Sequence, residues 1–391
     1  MKTQVKRRPF GATGLSVSEV ALGAMNLRML NNRAEGVELV NYVLDQGINL
    51  IDTAWAYTGT TSSGEFVASE EIIGSVLESR TDIDEPIVII TKNHGYTPAA
   101  FDEEFAVSLE RLRVKKTEKG LFIGTTEIKL VVFFHGIKYD RWVEMQESGA
   151  IDHAKARQAD GDFTYLGFSA HYGDGQAIKE GIESGHFQVM ELPYNVYNRS
   201  VGEDGELDLI KYAYDHGVAF INMKAFNGNG MVPTAHIIRD VCDLSSAEML
   251  RFNLANPYIS TIDAGARWPH EFADDIAASL LPPLTAEERK AIADKADLVS
   301  RYFDNICREC THCLEKFSCP NGLNFPEMLG IYARYKIAKG LGKDTAEFEA
   351  QYKALPLPNA DDCLQCGACN AFCEYHLDIP AQLAEIREIW G

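Results

Sequence analysis

Long apolar runs are missing from this sequence. No stretch reaches the roughly 18 apolar residues of a membrane-spanning helix. The densest patch, "LVVFF" at 130–134, has the length of a strand, so no membrane span is expected. Positive charge is scarce too: 37 Lys and Arg stand against 57 Asp and Glu, a formal net charge of −20. No basic cluster with interleaved aromatics offsets that balance locally, and such a chain repels polyanions, which excludes nucleic acid as an expected partner. The N-terminus "MKTQVKRRPFG" is basic but has no apolar segment after it. It does not read as an export signal, and the expected location is cytoplasmic. Cysteine is nearly absent at first, with one in the first 306 residues, and then eight fall in the last 85. Without a secretion signal a disulfide framework is not expected. Also missing is a G-x-G-x-x-G after the first strand, which argues against an open doubly wound sheet, and there is no flavin-binding signature.

Hydrophobic residues make up 46% of the 391, ample for a large core and a smaller second domain. From residue 17 to about 280, short β-branched runs alternate with longer amphipathic ones. The strand candidates are "SEVALGAM" (18–25), "INLIDTA" (48–54), "PIVIITK" (86–92), "KLVVFFH" (129–135), "FTYLGFSAH" (163–171), "QVMELPYN" (188–195), "VAFINMKAF" (218–226) and "ISTIDAGA" (259–266). Helical patterns lie between them, including one expected to run unbroken over 141–158. Eight strand and helix units over about 250 residues predict a (β/α)8 TIM barrel, whose active site lies at the C-terminal ends of the strands. The segment "LRVKKTEKGLFIGTTE" (112–127) fits neither period and reads as a long connection, while "NGNG" (227–230) signals a turn. The barrel is expected over residues 1–284. A second domain, residues 285–391, opens with a helix that Thr285 and Glu288 mark as a capping box.

The eight late cysteines form two sets, Cys307, Cys310, Cys313 and Cys319, then Cys363, Cys366, Cys369 and Cys373. Three thiolates at x2 spacing with a distant fourth match the pattern of a four-iron cluster. Two such sets predict a small, mostly helical, ferredoxin-like domain with two 4Fe-4S clusters. In a crossover arrangement, Cys307, Cys310, Cys313 and Cys373 would hold one and Cys363, Cys366, Cys369 and Cys319 the other. Two four-thiolate zinc sites are the alternative, less favoured because zinc knuckles usually lack the third close cysteine. Cys242 reads as a small buried residue.

"IDTAWAY", "ITKNHG" and "FFHG" after the second, third and fourth strands, with "FGATGLSVSEVALGAM", "YLGFSAH" and "MELPYN", resemble the aldo-keto reductases over the whole barrel. With the tail, the chain is similar to the branch that carries a ferredoxin-type domain. The resemblance implies a catalytic set of Asp52, Tyr57, Lys92 and His135. Reduction of a carbonyl by hydride builds an alkoxide that needs a proton donor. Tyr57 would be that acid, its pKa lowered by Lys92, with Asp52 orienting the lysine and His135 the carbonyl. The resemblance further implies NADP or NAD, bound by Gly23, Ala24, Met25, Ser169, Asn195, Gly265 and Arg267. After the eighth strand Arg267 stands among Glu271, Asp274 and Asp275, carboxylates that oppose a phosphate.

The resulting expectation is an iron-sulfur oxidoreductase interconverting a small carbonyl compound and its alcohol, its clusters relaying electrons to ferredoxin or another carrier. Two alternatives are an NAD(P)H-dependent reductase whose clusters are structural or redox-sensing, and a non-catalytic regulatory subunit.

Overall fold

Each of eight short strands is buried along nearly its whole length, and a sheet buried on both faces needs a cover of helices outside and packed side chains inside. The computed structural model describes residues 5–171, 175–226, 241, 244–302, 305–309, 311–373 and 375–391. Two units are present, one of Met1–Ala225 with Leu250–Leu284, the other of Phe226–Met249 with Thr285–Gly391.

In the first unit an antiparallel pair, β1 (Arg7–Pro9) and β2 (Ser16–Ser18), precedes the ring. The chain then runs through β3 (Val20–Gly23), β4 (Leu50–Asp52), a hairpin of β5 (Thr58–Thr60) and β6 (Phe66–Ala68), and β7 (Ile87–Asn93). A second hairpin, β8 (Lys115–Thr117) and β9 (Gly120–Ile123), leads into β10 (Thr126–Phe134). β11 (Tyr165–Ser169), β12 (Val189–Pro193), β13 (Ala219–Met223) and β14 (Thr261–Ala264) complete the series. β3, β4, β7, β10, β11, β12, β13 and β14 pair in parallel in that order, and β14 returns to β3, so the ring is closed. All eight predicted strands are ring strands.

The interior is filled from alternate positions: Ala21, Leu50, Val88, Ile90, Val131, Phe133, Val189, Ala219 and Ile221 form one cluster with Phe10, just after β1, and Val17 of β2. Gly167 belongs to this interior, because a Cβ there would lie 2.3 Å from the Phe133 ring and 2.6 Å from the Val189 carbonyl.

Two expectations change here. The predicted helix over 141–158 is two helices, Tyr139–Glu147 and Ala150–Ala159, separated where Gly149 takes φ 75°. A left-handed residue cannot continue a right-handed helix, and glycine adopts it without steric cost. The segment 112–127 is no loose connection: β9 pairs antiparallel with the first residues of β10, and β8 with β9.

Among the described residues of the second unit after Thr285 there are helices and 3-10 turns and no strand. The helices are Ala286–Ser300, His312–Lys316, Phe325–Gly340, Ala346–Lys353 and Ile379–Trp390. The expectation of a ferredoxin-type iron-sulfur fold is corrected accordingly: this region is helical, and no such fold is evident in it. The Thr285 capping box is present, with Thr285 Oγ1 accepting from the Glu288 amide at 3.1 Å and Glu288 accepting from the Thr285 amide at 2.8 Å. Thr285→Ala should lower stability by about 1 kcal/mol, read as a fall in the urea midpoint at constant m-value. No helix among the described residues is long and apolar enough to cross a membrane.

Candidate active site

Inward-facing residues near the C-terminal ends of the ring strands build the site. Asp52 ends β4, Lys92 is next to last in β7, and His135 follows β10, each fixed by its register. Tyr57 lies in the turn between β4 and β5, its amide donating to Ala54 O at 3.0 Å. The structure therefore brings together all four residues expected for catalysis. Lys92, 1% exposed, donates to Asp52 Oδ1 and to Thr53 O at 3.1 Å. Its ammonium lies 5.3 Å from the centre of the Tyr57 ring. The Tyr57 and His135 rings meet edge to face with centroids 6.2 Å apart.

Two carboxyls unforeseen from the sequence join this set. Glu191, in the middle of β12, places Oε2 3.4 Å from Lys92 Nζ, and Asp263 projects from β14. Oxygens of Asp52, Glu191 and Asp263 lie within 4.8 Å of one another. Glu191 Oε2 and Asp263 Oδ1 are sealed from solvent and have no hydrogen-bond partner among the described residues. The signal was available in "VMELP" and "TIDA", where a charge interrupts an otherwise apolar buried strand. An ionisable group at such a position is costly unless paired, and so marks a site.

Burial sets the electrostatics. It pushes Glu191 up to about 7 against the pull of Lys92, with Asp52 adding to the rise. Asp263 is held well above the carboxylate range by burial and by the fields of Asp52 and Glu191. Burial lowers Lys92, but Asp52, Glu191, Tyr57 and Asp263 outweigh it and hold the ammonium above the ordinary lysine range. The Tyr57 phenol moves upward, not downward as the sequence suggested. Burial exceeds the lowering by Lys92, and Asp52, Glu191 and Asp263 add to the rise. His135 is kept neutral by burial first and then by Lys92. His94 and His171 stand beside it, with ring centroids at 4.4 and 5.6 Å. Burial likewise depresses both, His171 to about 3.

The positions expected for a coenzyme are less uniform. Ser169, buried at the end of β11, accepts from the Gly136 amide at 3.1 Å. Gly23 abuts Asp263, whose carboxyl would lie 3.3 Å from a Cβ added there, while Ala24 is buried and Met25 half-buried in the turn that follows. Asn195 is committed to its own loop: it donates to Lys224 O at 3.0 Å and accepts from the amides of Tyr197 and Asn198. Gly265 is exposed, and its carbonyl accepts from Asn26 at 2.9 Å. The Arg267 amide donates to Glu271 at 2.7 Å, while its guanidinium has no partner among the described residues.

The sequence model of the aldo/keto reductase family matches residues 19–264. The chain belongs to the aldo/keto reductase family. It is an enzyme, an oxidoreductase of the aldo/keto reductase type. Over 98 residues it is 35% identical to a 6-dehydroglucose reductase of Novosphingobium aromaticivorans, a match over 25% of this chain and about a third (32%) of that relative's length. An uncharacterized oxidoreductase of Bacillus subtilis, YrpG, is 24% identical over 301 residues, covering 68% of this chain and 89% of that protein. In fold the chain is similar to the aldo-keto reductase AKR11C1 from Bacillus halodurans in its holo form, with a TM-score of 0.58 at 22% identity, covering 75% of this chain and 96% of that one.

The cysteines require a correction. Among the described residues, Asp52, Glu191 and Asp263 are the one set of potential ligands whose atoms all approach within 4.8 Å, and no cysteine belongs to it. Cys307, Cys313 and Cys373 line one small cavity, and Cys319, Cys363, Cys366 and Cys369 another, without converging to that distance. Cys307, Cys313 and Cys369 are buried, Cys319, Cys363 and Cys373 half-buried, and Cys366 exposed. Cys310, Cys242 and the "NGNG" loop lie outside the described residues. The matched family region also ends at residue 264, ahead of these cysteines. The two 4Fe-4S clusters, the electron relay and the ferredoxin partner therefore have no support in these findings, and the oxidoreductase reading rests on the barrel alone.

Proposed function

We propose that the barrel interconverts a small carbonyl compound and its alcohol by hydride transfer, with Tyr57 as the proton donor. One observation carries this reading: a charged, fully buried lysine lies beside a tyrosine and a neutral histidine at the strand ends. A reactive oxygen between Tyr57 and His135 would receive a hydrogen bond from the neutral imidazole. As negative charge grows on that oxygen, the Tyr57 O–H bond breaks and its proton passes to the oxygen. Lys92, held charged by its carboxyls, then stabilises the phenolate left behind.

NADP or NAD would supply or accept the hydride. The residues fit such a coenzyme in part: the Arg267 guanidinium, without a partner among the described residues, suits an anionic group, and the Ser169 hydroxyl suits an amide, whereas Asn195 is already engaged. Arg267→Ala should raise KM for NADPH about tenfold, the loss of one charge-assisted hydrogen bond to phosphate. KM for NADH should change less.

The test is carbonyl-dependent oxidation of NADPH and NADH over a panel of small aldehydes, ketones and sugars. Turnover with either coenzyme supports the reading. No turnover with any member, by folded protein that binds neither coenzyme in a fluorescence titration, overturns it.

A further inference from the structure

Three carboxyls share one ammonium in the floor of this site. Lys92 comes from β7, Asp52 from β4, Glu191 from β12 and Asp263 from β14. The remaining titratable groups around them are Tyr57, the neutral His135 and His171, His94 beside them, and Lys224 just beyond β13, whose ammonium burial pulls below the ordinary lysine range. With every group ionised, the three carboxylates and Lys92 would leave two negative charges buried together, at a cost of several kcal/mol per ion. Buried carboxyls in this position keep protons instead.

Geometry decides which carboxyl does what. Asp52 makes the shorter contact with Lys92 and is its ion-pair partner. Glu191 is 2% exposed, its Oε2 is 3.4 Å from the same nitrogen, and among the described residues that oxygen has no hydrogen-bond partner. We propose that Glu191 is a positioning residue that stores a proton for Tyr57, delivering it through Lys92 after each reduction. The inference rests on Tyr57 being the acid.

The sequence of bonds is as follows. Tyr57 gives its proton to the new alkoxide and becomes a phenolate. One Lys92 N–H bond breaks as the phenolate O–H bond reforms. The Glu191 carboxyl O–H then breaks to restore the ammonium, leaving a carboxylate beside it. Before the next turnover the path runs in reverse: Lys92 passes a proton back to Glu191, Tyr57 restores the ammonium, and solvent reprotonates half-buried Tyr57, with no electrons moving in these steps. Because burial pushes Glu191 up to about 7, this store is full below neutrality and empties as the pH rises through it. An ionised Glu191 also holds the Tyr57 phenol up, which makes it a weaker donor.

The experiment is the pH dependence of kcat for carbonyl reduction, over about pH 5 to 9, in wild type, Glu191→Gln, Glu191→Asp and Tyr57→Phe. Wild type should lose about tenfold in kcat per pH unit above neutrality, the behaviour of a single required acid. Glu191→Gln should have a kcat about tenfold lower at pH 6 and no such limb, with KM for the carbonyl unchanged. Glu191→Asp should retain the limb, because it retains an acid. A Glu191→Gln enzyme that keeps the wild-type limb, whether slowed uniformly or not at all, overturns the proposal. If Tyr57→Phe is fully active the reading of the acid itself fails, an outcome separate from the first.

Discussion

Tyr57→Phe should lower kcat for carbonyl reduction by about 10² to 10⁴, the range contributed by a positioned general acid. Only one oxygen is removed, and the ring, half-buried against His135 and near Lys92, keeps its place. The thermal midpoint should therefore stay within a few degrees of wild type, and KM for the carbonyl should change little. Steady-state kinetics and differential scanning calorimetry on the same preparation separate these effects. Activity within about twofold of wild type would remove Tyr57 from the chemistry.

Lys92→Met should damage both activity and stability, and the stability loss should depend on pH. Methionine fills a similar volume but leaves three carboxyls without their cation. Removing one partner of a buried pair costs about 3 to 5 kcal/mol when the other stays charged. Here the carboxyls can escape by binding protons, so the sign follows from linkage. Asp52, Glu191 and Asp263 already have folded-state values raised above their unfolded ones, burial being the first cause for each. The folded state thus binds more protons than the unfolded chain, and stability falls as pH rises between the two values. In wild type Lys92 limits that fall, since its own raised value keeps its contribution present throughout the neutral range and lost only at alkaline pH. In Lys92→Met the fall should steepen, with a loss under about 1 kcal/mol near pH 5 growing to about 3 to 5 kcal/mol near pH 8. Urea unfolding at the two pH values reads this directly, and an equal loss at both would show that the carboxyls do not depend on Lys92 for charge.

The ring was legible in the sequence because eight β-branched runs at regular intervals have few other ways to bury both faces. Asp52, Lys92 and His135 were legible because strand ends on one face of such a ring are brought together by topology, whatever the side chains. Glu191 and Asp263 were less legible, although "VMELP" and "TIDA" contain them, because one charge in a short strand marks a site only when that position faces the closed interior of the ring. The direction of the Tyr57 shift also required coordinates. Lys92 acts as expected, but the depth of burial and the number of carboxyls around the phenol exceed its effect. For the late cysteines, x2 spacing places three side chains on neighbouring turns of chain, yet convergence is a property of packing that intervals do not encode. Likewise the break at Gly149 lies within a continuous helical period, and only its left-handed backbone reveals it.

A closed ring of strands has no free edge, yet the β8–β9 hairpin restores one to this molecule. β9 leans on the start of β10, and β8 is left as an outermost strand of three exposed residues, Lys115, Lys116 and Thr117. An open strand edge is a template on which another chain can add itself by backbone hydrogen bonds. Shortness limits how many such bonds a newcomer could form, and the Lys115 ammonium repels an identical edge approaching in solution, while Lys116 is already paired with Asp162 at 2.9 Å. The added hairpin therefore carries its own protection against edge-to-edge association.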